Sequence, residues 1–310
     1  MRILFMGTGG FAVPTLKVLL ASKHCIIGVV TQPDRPTGRG LQTRFSPVKQ
    51  VALEVGVPIH QPEKVRSEDF ISLVRELAPD AVVVAAFGQI IPKAVLDIPR
   101  FGNINVHASI LPKYRGAAPV HHALFNGETY TGVTTMLMDP GLDTGPILLQ
   151  KEIEIRPEDN EGTLEARLAE IGAALLLETL ERLERGDITP RPQDDASATY
   201  APSVKKEDCA ICWDNDAGTI VNRVSGCTPR PGAYTLWRGS PLKVWSSGVA
   251  ENAEAAGKPG EVLRVGTEGI TVQAGRGAVL LIEVQPENRK RMHASEFARG
   301  YGVVKGTRLA

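Results

Sequence analysis

Ile3-Leu-Phe-Met-Gly-Thr-Gly-Gly-Phe-Ala-Val-Pro-Thr-Leu-Lys-Val-Leu-Leu20 reads as a strand, a tight loop and a helix in immediate succession. Four apolar residues lead into a glycine-rich turn, and Val13, Leu16, Val18, Leu19 and Leu20 then recur at helical spacing. The alternation continues outward: Cys25 to Val30 is a strand, Pro47 to Val55 a helix, Asp69 to Leu77 a helix, and Ala81 to Ala85 a strand. Repeated units of this kind predict an α/β chain with a Rossmann-like, mainly parallel sheet and helices on both faces.

Further along, Ile104-Asn-Val106 reads as a strand and Ala117 to Phe125 as a helix. Gly132 to Leu137 and Ile147 to Ile153 read as strands around a turn rich in glycine and aspartate. A long helix from Thr163 to Glu184, apolar at Leu164, Leu168, Ile171, Leu175 and Leu176, packs on the sheet and closes a first domain, residues 1–189. The proline-spaced, polar stretch 190–207 reads as a linker. Residues 208–310 change character to short, glycine-bounded β runs such as Leu242 to Trp245 and Ala278 to Val284, which predict a small OB-like barrel.

Composition excludes the extreme classes. The 310 residues carry 35 basic and 35 acidic side chains with 43% hydrophobic residues, as ordinary globular proteins do, and the length favours two domains. Residues 206–310 hold 14 Lys/Arg against 11 Asp/Glu, a surplus compatible with a polyanion but too small to name one. The apolar run before Gly7 is too short for a signal peptide or a membrane span, so a cytoplasmic chain is expected. Cys25, Cys209, Cys212 and Cys227 form no dense disulfide framework. Cys209-Ala-Ile-Cys212 has redox or half-zinc spacing, but no second close pair completes a metal site, and no metal is expected.

Two stretches compete to carry the chemistry. Gly7-Thr-Gly-Gly-Phe-Ala12 fits the dinucleotide pattern G-x-G-x-x-A, which opens a nicotinamide-dependent reading. That reading ranks second, because the next strand ends Val30-Thr-Gln32 without the acidic residue a ribose needs, and Asp34 lies already in the following loop. The other stretch, Asn103 to Pro119, takes a buried strand into polar residues at the edge where parallel sheets bind ligands. Asn105 and His107, two apart on a strand, share a face and can address one oxygen atom. Asp143, between Gly141 and Gly145, is a plausible carboxylate partner for His107.

The run Asn105-Val-His-Ala-Ser-Ile-Leu-Pro112, followed by Arg115-Gly116 and by Gly141-Leu-Asp-Thr-Gly145, closely resembles the enzymes that move formyl from 10-formyltetrahydrofolate to an amine. Within that group Thr31 to Gly40 and Ser46-Pro-Val-Lys49 are similar to the inserted loop of the methionyl-tRNA formyltransferases, and Pro229 to Tyr234 with Val244-Trp245 to their tRNA-contacting barrel. Gly9 and Thr228-Pro-Arg-Pro231 depart from that pattern. The resemblance implies transfer to initiator methionyl-tRNA by Asn105, His107 and Asp143. It places the folate near Phe87, Gly88, Gln89, Ile90 and Ile91 and near Ser109, Ile110, Leu111 and Pro112. The acceptor would lie near Gly7, Thr8 and Phe11, with Arg35, Arg39 and Arg44 on the basic loop. Lys206, Arg230, Lys243 and Arg289-Lys-Arg291 are candidate phosphate contacts.

Formyl transfer creates a negative oxygen and moves protons between two nitrogens. Asn105 and His107 are therefore expected as oxyanion donors, with Asp143 orienting His107, strengthening it as a base or managing a water. The main alternative is a folate-dependent formyltransferase for a small amine such as a sugar amine, which would share the same three residues. The residues give no reason to expect a membrane or a protein partner.

Overall fold

The computed structural model describes residues 1–37, 42–251 and 257–310, which divide into two compact units. The first comprises Met1–Pro119, Tyr130–Glu154 and Glu165–Ala201; the second comprises Val120–Thr129, Ile155–Leu164 and Pro202–Ala310. The division is not linear in sequence. Residues 190–201, expected as linker, belong with the first unit, and two short inserts belong with the second.

The first unit opens with β1 (Arg2–Gly7), α1 (Ala12–Leu20), β2 (Cys25–Val30) and the hairpin β3 (Arg35–Thr37) and β4 (Gln42–Arg44). Next come α2 (Pro47–Val55), β5 (Ile59–His60), α3 (Glu68–Leu77), β6 (Ala81–Ala85), the short α4 (Lys93–Leu96) and β7 (Asn103–His107). After α5 (Pro119–Phe125) follow β8 (Tyr130–Leu137), β9 (Ile147–Glu154) and α6 (Glu161–Arg185). The seven-stranded sheet has the order β5-β2-β1-β6-β7-β8-β9. It is parallel from β5 to β7, and β8 and β9 add two antiparallel pairings.

Local sequence explains these elements. Every residue of β6 and Ile3 to Met6 of β1 are buried, the continuous apolar pattern of strands covered on both faces. At the start of α2 the Ser46 Oγ accepts from the Lys49 amide at 3.0 Å with Pro47 next in line, and left-handed Gly56 ends the helix. Ser67 caps α3, with Glu68 and Asp69 in its positive first turn. Because the chain leaves β1 towards β2 on one side and enters β6 on the other, a crevice opens where their carboxyl ends diverge, the switch point at which open α/β sheets bind ligands.

The second unit contains α7 (Ala217–Cys227), β10 (Ala233–Trp237), β11 (Ser240–Val249), β12 (Val262–Gly266), β13 (Gly269–Gln273), β14 (Ala278–Pro286), β15 (Met292–His293) and α8 (Ala294–Tyr301). Its antiparallel sheet runs β10-β11-β14-β13-β12, with β15 beside β14. The path ends, β10 and β12, are joined through the last residues. Leu236 exchanges backbone hydrogen bonds with Ala310, while Gly260 and Val262 pair with Leu309 and Thr307. That closure gives the barrel-like form expected, although α7 and α8 lay outside the β-only reading of this region.

The insert 120–129 supplies Phe125, whose ring packs on the core of this unit and lies so close to Gly226 that a Cβ there would sit 2.6 Å from it. Cys209 and Cys227 are joined by a disulfide, whereas Cys25 and Cys212 are free and exposed. The Cys209–Cys212 pairing considered from spacing does not form. No helix among the described residues is long and apolar enough to cross a membrane.

Candidate active site

Asn105 and His107 leave the carboxyl half of β7 on one face, held opposite Met136 and Thr134 of β8. Both are nearly enclosed, and they meet Asp143, which the connection between β8 and β9 brings over the sheet edge. The Asn105 amide donates to Asp143 Oδ1 at 3.3 Å, and His107 Nδ1 stands 3.6 Å from Asp143 Oδ2. A backbone N–H from Gly116 reaches the same Oδ2 at 2.8 Å. The three residues singled out from sequence are therefore assembled into one cluster.

The other face of the imidazole settles its tautomer. His107 Nε2 lies 2.9 Å from the Tyr114 carbonyl oxygen, which can only accept, so Nε2 carries the hydrogen and Nδ1 faces Asp143. In the neutral ring Nδ1 is therefore a base; it donates only as imidazolium. Towards the reacting atoms His107 is therefore a donor only as imidazolium, whereas the Asn105 amide donates in any state.

Backbone conformations rarely taken by side-chain-bearing residues build this geometry. Tyr114 has φ 62° and Asp143 φ 53°. Gly116, at φ 121°, lies under the chain at Ala201, so that a Cβ there would meet the Ala201 oxygen at 2.8 Å. Leu111-Pro112 is a cis peptide. Thr134 Oγ1 donates to the Ser109 oxygen and accepts from the Leu111 amide, which locks the turn after β7 to β8.

Sequence reasoning missed the support beneath. Arg115 is 2% exposed, and its guanidinium donates from Nε and Nη2 to Gln193 Oε1 at 3.1 and 2.9 Å and to Asp195 at 2.8 Å. Asp195 is largely exposed, so that ion pair contributes only about 0–1 kcal/mol and the enclosed Gln193 contacts matter more. Arg115 is held on the charged side against its own burial by Asp195 and Tyr200. Thr199 receives the Tyr114 amide on its hydroxyl and the Arg115 amide on its carbonyl. No local signal marks Gln193 or Thr199, which lie in a polar run typical of linkers.

A cleft of about 560 Å³ fills the crevice between the ends of β1 and β6, lined by Thr8, Gly9, Gln32, Arg35, Phe87 and Gly88 among others. Thr8 and Gln32 both donate to the Phe87 oxygen. Gly7 is hemmed in by Phe5, Ala12 and Ala85, and Phe11 is buried at the start of α1, so neither faces the cleft as Thr8 does. Arg44 is exposed on β4, and Arg39 lies outside the described residues. Phe87 and Ile91 belong to the core, whereas Ile90 between Gln89 and Ile91 is 85% exposed. Ser109 and Leu111 are buried, and Ile110 lies against Gly132.

Asp34 does not present itself to a ribose. Its carboxylate is bound by Lys49 and by Gln61, and the Lys49 hydrogen bond, ahead of the other causes, holds it below the usual carboxylate range. The nicotinamide reading loses its last candidate. Among the described residues no group of three or more His, Cys, Asp or Glu side chains gathers to hold a metal.

A family model described as formyl transferase matches residues 1–180, and one described as formyl transferase, C-terminal domain, matches 203–302. A methionyl-tRNA formyltransferase from Citrifermentans bemidjiense is 51% identical over 306 residues, covering 99% of this chain and 95% of its own. The chain belongs to the methionyl-tRNA formyltransferase family. A second member, from Geobacter sulfurreducens, is 49% identical over 309 residues and is covered over 96% of its length.

Solved structures share the fold. HypX from Aquifex aeolicus in complex with tetrahydrofolic acid superposes at TM-score 0.66 with 20% identity over 96% of this chain, which spans 47% of HypX. The sugar 3N-formyl transferase WlaRD superposes at 0.65 with 18% identity, covering 94% of this chain and 99% of its own. This chain is accordingly a formyl-transferring enzyme with a Rossmann-like catalytic fold and an antiparallel C-terminal domain.

Proposed function

We propose that this formyltransferase moves the formyl group of 10-formyltetrahydrofolate to the α-amino group of methionine on initiator tRNA, in the cytoplasm, for translation initiation. Asn105, His107 and Asp143 carry the chemistry, and no metal takes part. Full-length relatives of that name at about half identity support the substrate pair. The observation that carries the site is the convergence of an amide, an imidazole and a carboxylate at the sheet edge.

The steps follow from those groups. The Asn105 amide donates to the formyl oxygen as it gains charge when the methionine nitrogen attacks the carbon. His107 Nδ1 accepts the proton the amine sheds, and the imidazolium so formed is held between Asp143 and the Tyr114 carbonyl. The same Nδ1–H then supplies the departing folate nitrogen as the old C–N bond breaks, which restores the neutral ring. Gly116 N–H donates to the same carboxylate and fixes its orientation. Exposed Ile90 and the 57% exposed Leu142 offer apolar cover of the kind a flat ring system needs.

Along the cleft Thr8 and Arg35 suit the acceptor end and Phe87, Gly88 and Gln89 the folate, and the 31–45 segment with Arg35, Arg39 and Arg44 suits the acceptor's phosphates. The first unit would be the catalytic one and the second the tRNA-contacting one. In the second unit the Arg291 guanidinium lies 3.7 Å and the Lys243 ammonium 5.1 Å from the Trp245 ring, and Lys206 stands over Tyr234. Burial, then the neighbouring charges of Lys206 and Arg291, pushes the Lys243 ammonium below its usual range, a strain that a bound polyanion would relieve.

The test is to incubate the enzyme with 10-formyltetrahydrofolate and charged initiator tRNA and to score formylmethionine, against the same reaction with a glycinamide ribonucleotide or an amino sugar nucleotide. Formylation of the small amine in preference to the tRNA would overturn the assignment.

A further inference from the structure

We propose that Gln193 is a positioning residue of the transfer centre, setting Asp143 and the Tyr114-Arg115-Gly116 segment in one fixed relation. The proposal rests on the reading of Asp143 as part of that centre. Gln193 belongs to a stretch whose composition reads as a tether, yet its side chain uses its full hydrogen-bonding capacity. Nε2 donates to the backbone oxygens of Asp143 and Gly145 at 2.8 and 2.7 Å, and Oε1 accepts twice from Arg115. One amide thus joins the two loops that hold the reacting groups.

Both ends of the bridge lie next to chemistry. On one side the Asp143 carbonyl it grips belongs to a residue held at φ 53°, a conformation that persists only where its surroundings impose it. On the other side Arg115 lies between the carbonyl that fixes the His107 tautomer and the N–H that binds Asp143 Oδ2. Moving either loop displaces the carboxylate from the imidazole. Asp195 cannot substitute, since it touches Arg115 only and stands largely in solvent.

The test is a double-mutant cycle on the full chain with 10-formyltetrahydrofolate and initiator methionyl-tRNA. Gln193→Glu keeps an oxygen for Arg115 but turns a second oxygen towards two carbonyls, so kcat should fall about 10–100-fold, the scale of an ångström-level misplacement, with both KM values within about 2-fold. In an Asp143→Asn background the same change should cost less than about 3-fold, because groups acting as a unit are not additive.

A Gln193→Glu kcat within about 2-fold of wild type, or an undiminished loss in the Asp143→Asn background, overturns the proposal. If Asp143→Asn alone leaves kcat near normal, the reading of Asp143 is what fails, and the positioning role goes with it. Should Gln193→Glu not fold, Gln193→Met removes donor and acceptor without adding charge. The cycle run with Gln193→Met is expected to show the same fall in kcat and the same loss of additivity, and their absence overturns the proposal in the same way.

Discussion

His107 presents a single nitrogen to the reaction, because the other is committed to the Tyr114 carbonyl. Asn105, by contrast, is a donor whatever the pH. Replacing Asn105 by alanine should lower kcat about 10²–10³-fold, the range for losing one preorganised transition-state donor, and replacing His107 by alanine about 10²–10⁴-fold, the range for losing a general acid–base group. Single-turnover assays on folded variants check this, and near-normal turnover in either removes that residue from the mechanism. The pair was legible in the sequence because strand alternation alone puts residues 105 and 107 on one face. Asp143 was legible as a partner through its flanking glycines. The His107 tautomer was not, since it depends on a carbonyl seven residues on, in a loop whose φ of 62° no residue preference announces.

The loops around β7 owe their shape to the segment 191–201. Gly116→Ala should both strain the backbone by about 1–3 kcal/mol and drive a methyl into the Ala201 oxygen, pulling the Gly116 N–H off Asp143. The expected result is a lower melting temperature together with reduced kcat, read by calorimetry and steady-state kinetics; an unchanged kcat would mean that the Gly116 N–H does not matter to Asp143. A second anchored element is the segment after β2. Thr31 and Ser46 share a hydrogen bond at 2.8 Å, and Lys49 binds both Asp34 and Gln61, so the two ends of the hairpin are fastened together. Lys49→Met should raise KM for tRNA several-fold and leave KM for the folate donor unchanged, and equal changes in both would assign the anchor to general folding. The longer helices of the first unit and strands β1, β2, β6, β7, β8 and β9 were readable from periodicity, whereas the β3–β4 hairpin, expected as loop, the two-residue β5 and the one-turn α4 were not. The segment 190–201 was not, because its polar residues are satisfied by loops far away in sequence rather than by neighbours, and composition records only the polarity.

At the scale of the molecule, two linked equilibria respond to solvent. His24, His60 and His121 are each held below the ordinary imidazole range, with burial the largest cause in every case. The unfolded chain therefore takes up protons first as pH falls through about 6.5, and stability that is complete above that value declines towards pH 5. Thermal melts between pH 7.5 and 5 should show the loss, and a flat profile would mean that these rings find proton partners in the fold. Salt acts on the other equilibrium. If Lys206, Lys243 and Arg291 meet phosphates, log KM for tRNA should rise steeply with log salt while KM for the folate barely moves, and replacing Arg291 by alanine should reduce that slope by about one contact's worth.

The interleaved division of the chain carries a consequence for its birth on the ribosome. Phe125 emerges early, but the glycine surface on α7 that receives its ring is synthesised only about a hundred residues later, by count along the sequence. The nascent polypeptide must hold that aromatic side chain open to the cellular milieu in the meantime, and a truncated product ending before α7 carries it uncovered for good.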